Sequence, residues 1–134
     1  MKINSIQIDT LSTNNPFVSS FWAKLKNVNC WDSKAYSLES NQDVFQSLVF
    51  FKKLFLNLYF VYIPFSPVCI TSEAILDEKL IKEFLDFVIS DSEKKIAFIK
   101  IDLPFEYDTK KKYHKPFKIN KYSIQPEATI VIDL

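Results

Sequence analysis

Glycine is absent from the 134 residues, and so is every phosphate cradle built on a glycine turn, from the Walker loop to the dinucleotide fingerprint. That argues against nucleotide-cofactor chemistry. Arginine is absent as well. All seventeen basic residues are lysine, so the chain offers anions point charges and not the rigid bidentate fork of a guanidinium. Only two cysteines occur, Cys30 and Cys69, too far apart for a C-x-x-C pair, and the single histidine, His114, has no paired ligand beside it. No metal site is therefore expected. Without a leader-like start at Met1-Lys2-Ile3-Asn4 or a disulfide-like framework, the expected compartment is a reducing cytosol in which both thiols stay free. Cys69, inside an apolar run, reads as core packing and not as a nucleophile. Long apolar runs are missing too. The longest, residues 48–63, is interrupted by Lys52, Lys53 and Asn57, which is too short a clean stretch to span a bilayer.

What is present is a globular composition: 48% hydrophobic, 25% charged, and a net charge of +1 that gives no strong overall field toward nucleic acid or membrane. Ile3, Ile6 and Ile8 open with a β-prone stretch that Asn14-Asn15-Pro16 breaks. A helix follows, capped by Ser19 or Ser20, with Phe21, Trp22, Leu25 and Val28 as its apolar side and Lys24, Lys26 and Asn27 as its wetter side. Residues 33–39 read as a half-buried strand, turned by Asn41-Gln42-Asp43 into residues 44–51 as a hairpin. Residues 54–63 read as the next strand, after Lys52-Lys53 as an interruption. The continuous apolarity of this pair predicts a central place in the sheet. Pro64 and Pro67 end it. Asp77 caps a second helix with a stripe of Leu80, Ile81, Phe84, Leu85, Phe87 and Val88. Ile96, Phe98, Ile99 and Ile101 form a strand that Pro104 stops. Residues 106–121 read as a lysine-rich loop, Gln125-Pro126-Glu127 as a turn, and residues 129–134 as a strand pattern that runs to the last residue. The order predicts one α+β domain, α/β layered, with a mostly antiparallel sheet and two main helices.

Four patches lie in a suggestive order. Asn15-Pro16-Phe17, then Trp22-Ala23-Lys24-Leu25-Lys26 and Trp31, resembles the "NPF…WAxxK…GW" opening of the FemABX peptidyltransferases. Residues 59–68, YFVYIPFSPV, are similar to that family's "hhYhPRGPh" strand end, where h is apolar. Residues 97–104, AFIKIDLP, resemble its "hhxRhDP" strand, and residues 123–134, SIQPEATIVIDL, its "hQPxxThhhDL" segment. The likeness covers residues 15–134. Three departures stand out: Phe65 and Ser66 replace the usual Arg-Gly, Cys30 replaces the glycine before the tryptophan, and Lys100 replaces an arginine. Losing glycine adds a β-carbon where the backbone can need positive φ.

The resemblance implies a GNAT-like acyltransferase domain covering residues 1–134, the first of twin domains, with a second GNAT-like domain as partner. It implies aminolysis, in which an amine of the peptidoglycan precursor, a muramyl peptide or lipid II, attacks the ester carbonyl of an aminoacyl-tRNA. That builds the interpeptide bridge with aminoacyl-tRNA as co-substrate and no further cofactor. The chain alone is then expected to contribute precursor binding, to be inactive by itself, and to work in the cytoplasm at the inner membrane face as a peripheral protein. Carried over residue by residue, Lys24 matches the lysine of the family's helix associated with precursor binding. Lys26 follows it, and Tyr62 and Ser66 sit at the strand end where a cleft could open. Spacing alone reads Lys24 and Lys26 as solvated lysines, Tyr62 as a hydrogen-bonded core tyrosine and Ser66 as a turn residue. A different class of function rests on Lys110, Lys111, Lys112 and Lys115, interleaved with Tyr113 and His114, as in RNA-binding loops; an ordinary solvated loop is the plainer account.

Overall fold

The computed structural model describes residues 1–104, 114, 117 and 118. The expected loop over 106–121, with Lys110, Lys111, Lys112 and Lys115, the turn at Gln125-Pro126-Glu127 and the strand over 129–134 fall outside the described residues, apart from His114, Phe117 and Lys118.

The chain opens with β1 (Lys2–Ile6) and a 3-10 turn over Ile8–Thr10, and then forms α1 (Ser20–Val28), β2 (Asp32–Ser40), β3 (Asp43–Lys53) and β4 (Leu58–Ile63). After them come β5 (Val68–Cys69), α2 (Glu78–Ser92) and β6 (Lys95–Ile101). Strands run in the order β1-β2-β3-β4-β6, with β5 pairing β3 off that path. Every pair is antiparallel except β4 with β6. The α+β architecture read from the sequence is therefore the observed one: a six-stranded, mostly antiparallel sheet and two helices.

Alternation of side chains along the strands divides the apolar residues between two faces. Tyr36, Leu38, Phe45, Val49, Phe51, Val61 and Ile63 pack under Ile81, Phe84 and Val88 of α2. On the other face Ala35, Leu48, Phe50 and Tyr62 pack with Val18 and with Ala23 of α1. Because β3 contributes to both clusters, it is buried without a break from Phe45 to Phe51, as a two-sided central strand demands. Both expected caps form: the Ser19 side chain accepts from the Trp22 amide at 3.2 Å, and Asp77 accepts from the Leu80 amide at 2.8 Å.

Two expectations are corrected. Lys52 and Lys53 are the last residues of β3 and not an interruption before the next strand; residues 54–57 are the turn, closed by the Leu58 amide on the Phe55 carbonyl at 3.0 Å. Leu56 and Asn57 both carry positive φ, 49° and 59°, as a type I′ hairpin turn needs, so Leu56 occupies a place that usually takes Asn or Gly. The stripe foreseen on α1 also turns the wrong way. Ala23 is its buried residue, Trp22 and Lys26 are half-buried, and Phe21, Leu25 and Val28 are exposed. The physical reason is the partner: Trp22 and the aliphatic stem of Lys26 already cover the sheet, with the ammonium 5.2 Å and 5.6 Å from the Trp22 and Trp31 rings.

Lacking glycine, the backbone places other residues in the left-handed region: Cys30 (φ 61°), Asn41, Gln42, Leu56, Asn57, Phe65 (φ 42°) and Glu93. Cys30 stands at the position where the resembled motif carries glycine.

Candidate functional site

β3 is longer than either of its neighbours on one side. β4 pairs with it over residues 50–53 and β5 over Phe45 and Gln46, and the ladder skips the residues between. Proline explains the detour, since Pro64 and Pro67 lack the amide donor that continued pairing needs. The chain leaves β4 through Phe65 and through a cis bond between Ser66 and Pro67. Ser47 fills the gap. Its hydroxyl shares a 2.8 Å hydrogen bond with that of Ser66, both fully buried, which satisfies two polar groups that would otherwise be stranded in the core.

Beside this detour lies a cleft of about 540 Å³ between residues 12–15, residues 68–72 and Pro104. Each wall is held from within. Gln46 Oε1 accepts from the Ser12 amide at 2.8 Å, the Thr13 hydroxyl donates to the Val18 carbonyl at 2.8 Å, and Asn15 Nδ2 donates to the Phe65 carbonyl at 3.2 Å. On the facing wall Asp43 Oδ1 accepts from the Ser72 hydroxyl at 2.7 Å and the Thr71 hydroxyl at 3.3 Å, while Thr71 accepts from the Val44 amide at 3.0 Å. The cleft opens at the carboxyl ends of the parallel pair β4 and β6, where the Asp102 amide donates to the Ile63 carbonyl at 2.9 Å and the Ser66 amide to the Asp102 carbonyl at 3.2 Å. Such strand ends are the usual ligand crevice of parallel sheets, because the ladder stops there and the connections diverge.

Cys69 sits on this wall and not within the core: it is half-buried, its side chain edging the α2 cluster and its Sγ within 3.5 Å of the Thr71 hydroxyl and 3.3 Å of the Ser72 hydroxyl. Its contact with the α2 cluster agrees with the packing role read from the sequence, and the two hydroxyls on its Sγ are what that reading lacks. Burial pushes the thiol up, but the Ser72 and Thr71 hydrogen bonds outweigh it and leave the thiol below its ordinary value. The described histidine, His114, lies elsewhere, its Nδ1 3.2 Å from Glu78 at the start of α2. Among the described residues no group of three metal-ligating side chains converges. Among the described residues no charged side chain lines the cleft. Its chemistry is therefore that of hydroxyls, amides and one thiol, suited to hydrogen-bonding a neutral, polar ligand such as a sugar or a peptide backbone.

The residues singled out in the sequence fall into two groups. Tyr62 and Ser66 come together under the cleft, both on Asp102: the Tyr62 hydroxyl donates to Asp102 Oδ2 at 2.7 Å, and the Ser66 amide bonds the Asp102 carbonyl. Lys100 completes that cluster at 2.6 Å from Asp102 Oδ1. Tyr62 and Ser66 are buried, so they shape the floor of the region without lining it. Lys24 and Lys26 lie on α1, Lys24 exposed and 3.7 Å from Asp9, and Lys26 against the two tryptophans. Lys110, Lys111, Lys112 and Lys115 lie outside the described residues. Sequence reasoning missed the lining itself. The signal was there in two short runs of small hydrogen-bonding residues, 12–15 and 71–72, the first of which reads as the break after a β-prone stretch and as the start of a motif until its hydroxyls and amides are seen facing one space.

No match to the chain is found among protein-family models, curated proteins or solved structures.

Proposed function

We propose that this chain is a GNAT-like domain supplying the precursor-binding half of a FemABX-type aminoacyltransferase, and that the cleft at the ends of β4 and β6 takes the neutral sugar or peptide portion of a muramyl peptide. The observation that carries the reading is convergence. Three sequence patches of the resemblance, separated by dozens of residues, touch at one place: Asn15 on Phe65, and Tyr62 and Ser66 on Asp102. The order of an antiparallel run β2-β3-β4, a helical crossover and a parallel β6 supports the same fold assignment.

On this reading the domain contributes positioning. The ester of an aminoacyl-tRNA is already activated, so holding the acceptor peptide at a fixed place and excluding its tumbling supplies much of the acceleration. Serine, threonine and asparagine fit that task, because they orient hydroxyls and amides without imposing charge on an amine that must be neutral to attack. Lysines then meet the phosphates of the precursor outside the cleft, as point charges screened over about 10 Å at moderate salt. The oxyanion that forms on the ester carbon needs donors from a companion domain, and the chain by itself binds without transferring.

The test is titration of the 134-residue chain with a soluble nucleotide-linked muramyl pentapeptide, followed by intrinsic tryptophan fluorescence. Saturable binding is expected, weakened roughly tenfold by Asn15→Ala, since a wall anchor and a hydrogen bond are lost together. Absence of binding overturns the reading, as does amino acid transfer by this chain alone. Salt-sensitive binding of tRNA with no response to muramyl peptide replaces it with an RNA-binding module.

A further inference from the structure

Beside Lys24 and Asn27, α1 exposes three apolar residues. Phe21, Leu25 and Val28 recur at i, i+4 and i+7 and share one helical face, and Val28 is 83% exposed. That face stops at the C-cap, Asn29, whose carbonyl accepts from Lys52 Nζ at 2.9 Å. Immediately after Lys52 and Lys53 the chain reverses through the turn at 54–57, where Leu54, Phe55 and Leu56 are exposed as well, Leu56 also at 83%. The helical stripe and the hairpin tip are therefore neighbours at one end of the sheet, tied by the bond between Lys52 and Asn29.

Neither part is accounted for by folding. Leu56 holds a left-handed conformation that is unfavourable for a residue with a side chain, in a turn where Asn or Gly would serve, and it buries little in return. The stripe of α1 faces away from the sheet that holds the helix. Around both lies positive charge. Lys24, Lys26, Lys52 and Lys53 are interspersed with the apolar residues, Asp9 answers Lys24, and among the described residues Lys26, Lys52 and Lys53 have no ion-pair partner.

From this we infer that the α1 stripe and the 54–57 tip form a surface that seats in the headgroup layer of an anionic lipid bilayer. Phe55, Leu56, Leu25 and Val28 enter the acyl boundary while the lysines reach the phosphates. Charge complementarity selects this occupant. Lysine ammonium groups on flexible stems need no fixed geometry from their anions, which suits a fluid headgroup layer, and a protruding tip enters such a layer without a matching pocket. No helix among the described residues is long and apolar enough to cross a membrane, so the contact is a peripheral one. The inference stands on exposed residues away from the cleft and holds or fails separately from the binding of muramyl peptide.

The experiment is flotation of the intact chain with phosphatidylcholine vesicles, pure or containing about one-third phosphatidylglycerol. Flotation is expected with the anionic vesicles and not with the neutral ones, and it weakens as salt is raised. Joint replacement Lys52→Gln and Lys53→Gln reduces partitioning by at least about tenfold, from roughly fivefold per lysine. Phe55→Ser reduces it by roughly tenfold. Leu56→Gly separates binding from folding, since glycine suits the turn: it lowers partitioning while leaving the chain at least as stable. The inference is overturned by no flotation, by equal flotation with neutral vesicles, or by flotation that survives Phe55→Ser with Leu56→Gly. It is also overturned if the chain does not float and sediments as a dimer that these substitutions dissolve, for then the surface meets a second copy.

Discussion

A chain without glycine must put side chains where the backbone turns left. For Asn41 and Asn57 this is mild, since asparagine tolerates the left-handed region, but Leu56 and Glu93 receive no such relief. Replacing Leu56 with glycine removes about 1–2 kcal/mol of conformational strain and adds back about 0.5–1 kcal/mol of unfolded-chain entropy. A net gain of about 0.5–1 kcal/mol is expected from urea denaturation, and a loss of that size would show that the Leu56 side chain packs in the native state. The sequence marks 54–57 poorly for the same reason. Without the usual Asn-Gly signal, Leu54-Phe55-Leu56 reads as more strand, and the reversal shows in the Leu58 amide on the Phe55 carbonyl and the Leu54 amide on the Leu58 carbonyl.

At the scale of elements, α2 is bound to the sheet by packing and by one polar cluster. The Lys34 ammonium lies 2.9 Å from Asp91 Oδ2, and the buried Tyr36 hydroxyl donates to the same oxygen at 2.9 Å. The Lys34 hydrogen bond is the main cause that holds the Asp91 carboxyl below the usual carboxylate range; burial opposes it, and the Tyr36 hydroxyl and the Lys34 charge reinforce it. Burial, followed by the hydrogen bond and the charge of Asp91, pushes the Tyr36 phenol well above its ordinary value. The signs follow from linkage. Asp91 binds its proton more weakly in the native state, so its contribution is complete above about pH 4 and fades as the pH falls through its lowered value. Tyr36 holds its proton more tightly in the native state, so stability declines once the pH rises past about 10, where the unfolded phenol ionises first. Thermal melts across pH are expected to show both limbs. Asp91→Asn flattens the acid one, and Tyr36→Phe flattens the alkaline one. An acid limb unchanged in Asp91→Asn would assign the effect to other carboxylates. The first turn of the same helix offers a second check. Asp77→Ala strands the Leu80 amide and is expected to cost about 1 kcal/mol, read as a shift in the denaturation midpoint without a change in slope.

Across the whole molecule, one arrangement sets where the cleft lies. Among the described residues one parallel pair, β4 with β6, sits in an otherwise antiparallel sheet, and the connection between the two carries β5, α2 and one wall of the cleft. The opposite end of the sheet carries the lysine-rimmed tip and the exposed stripe of α1. Cleft and tip are separate in chemistry, the one neutral and hydrogen-bonding, the other apolar and basic. Their two tests read independent properties of one protein.

By itself the sequence determined the kinds of elements, both helix caps, the β2 to β3 hairpin and the central place of β3, because each is written in short-range terms: a capping side chain, a period, a turn, a run apolar on both faces. It also determined what the chain does not hold, since a phosphate loop needs glycine and a forked anion site needs arginine. Only the tertiary structure decided which face of α1 is buried, because Phe21, Trp22, Leu25 and Val28 are equally apolar on paper and the choice falls to the surface they meet. The cleft belongs to the same category. Its walls come from residues 12–15 and 68–72, and hydroxyls that each look like ordinary turn chemistry become a site only when the gap between β4 and β5 brings them to face one another.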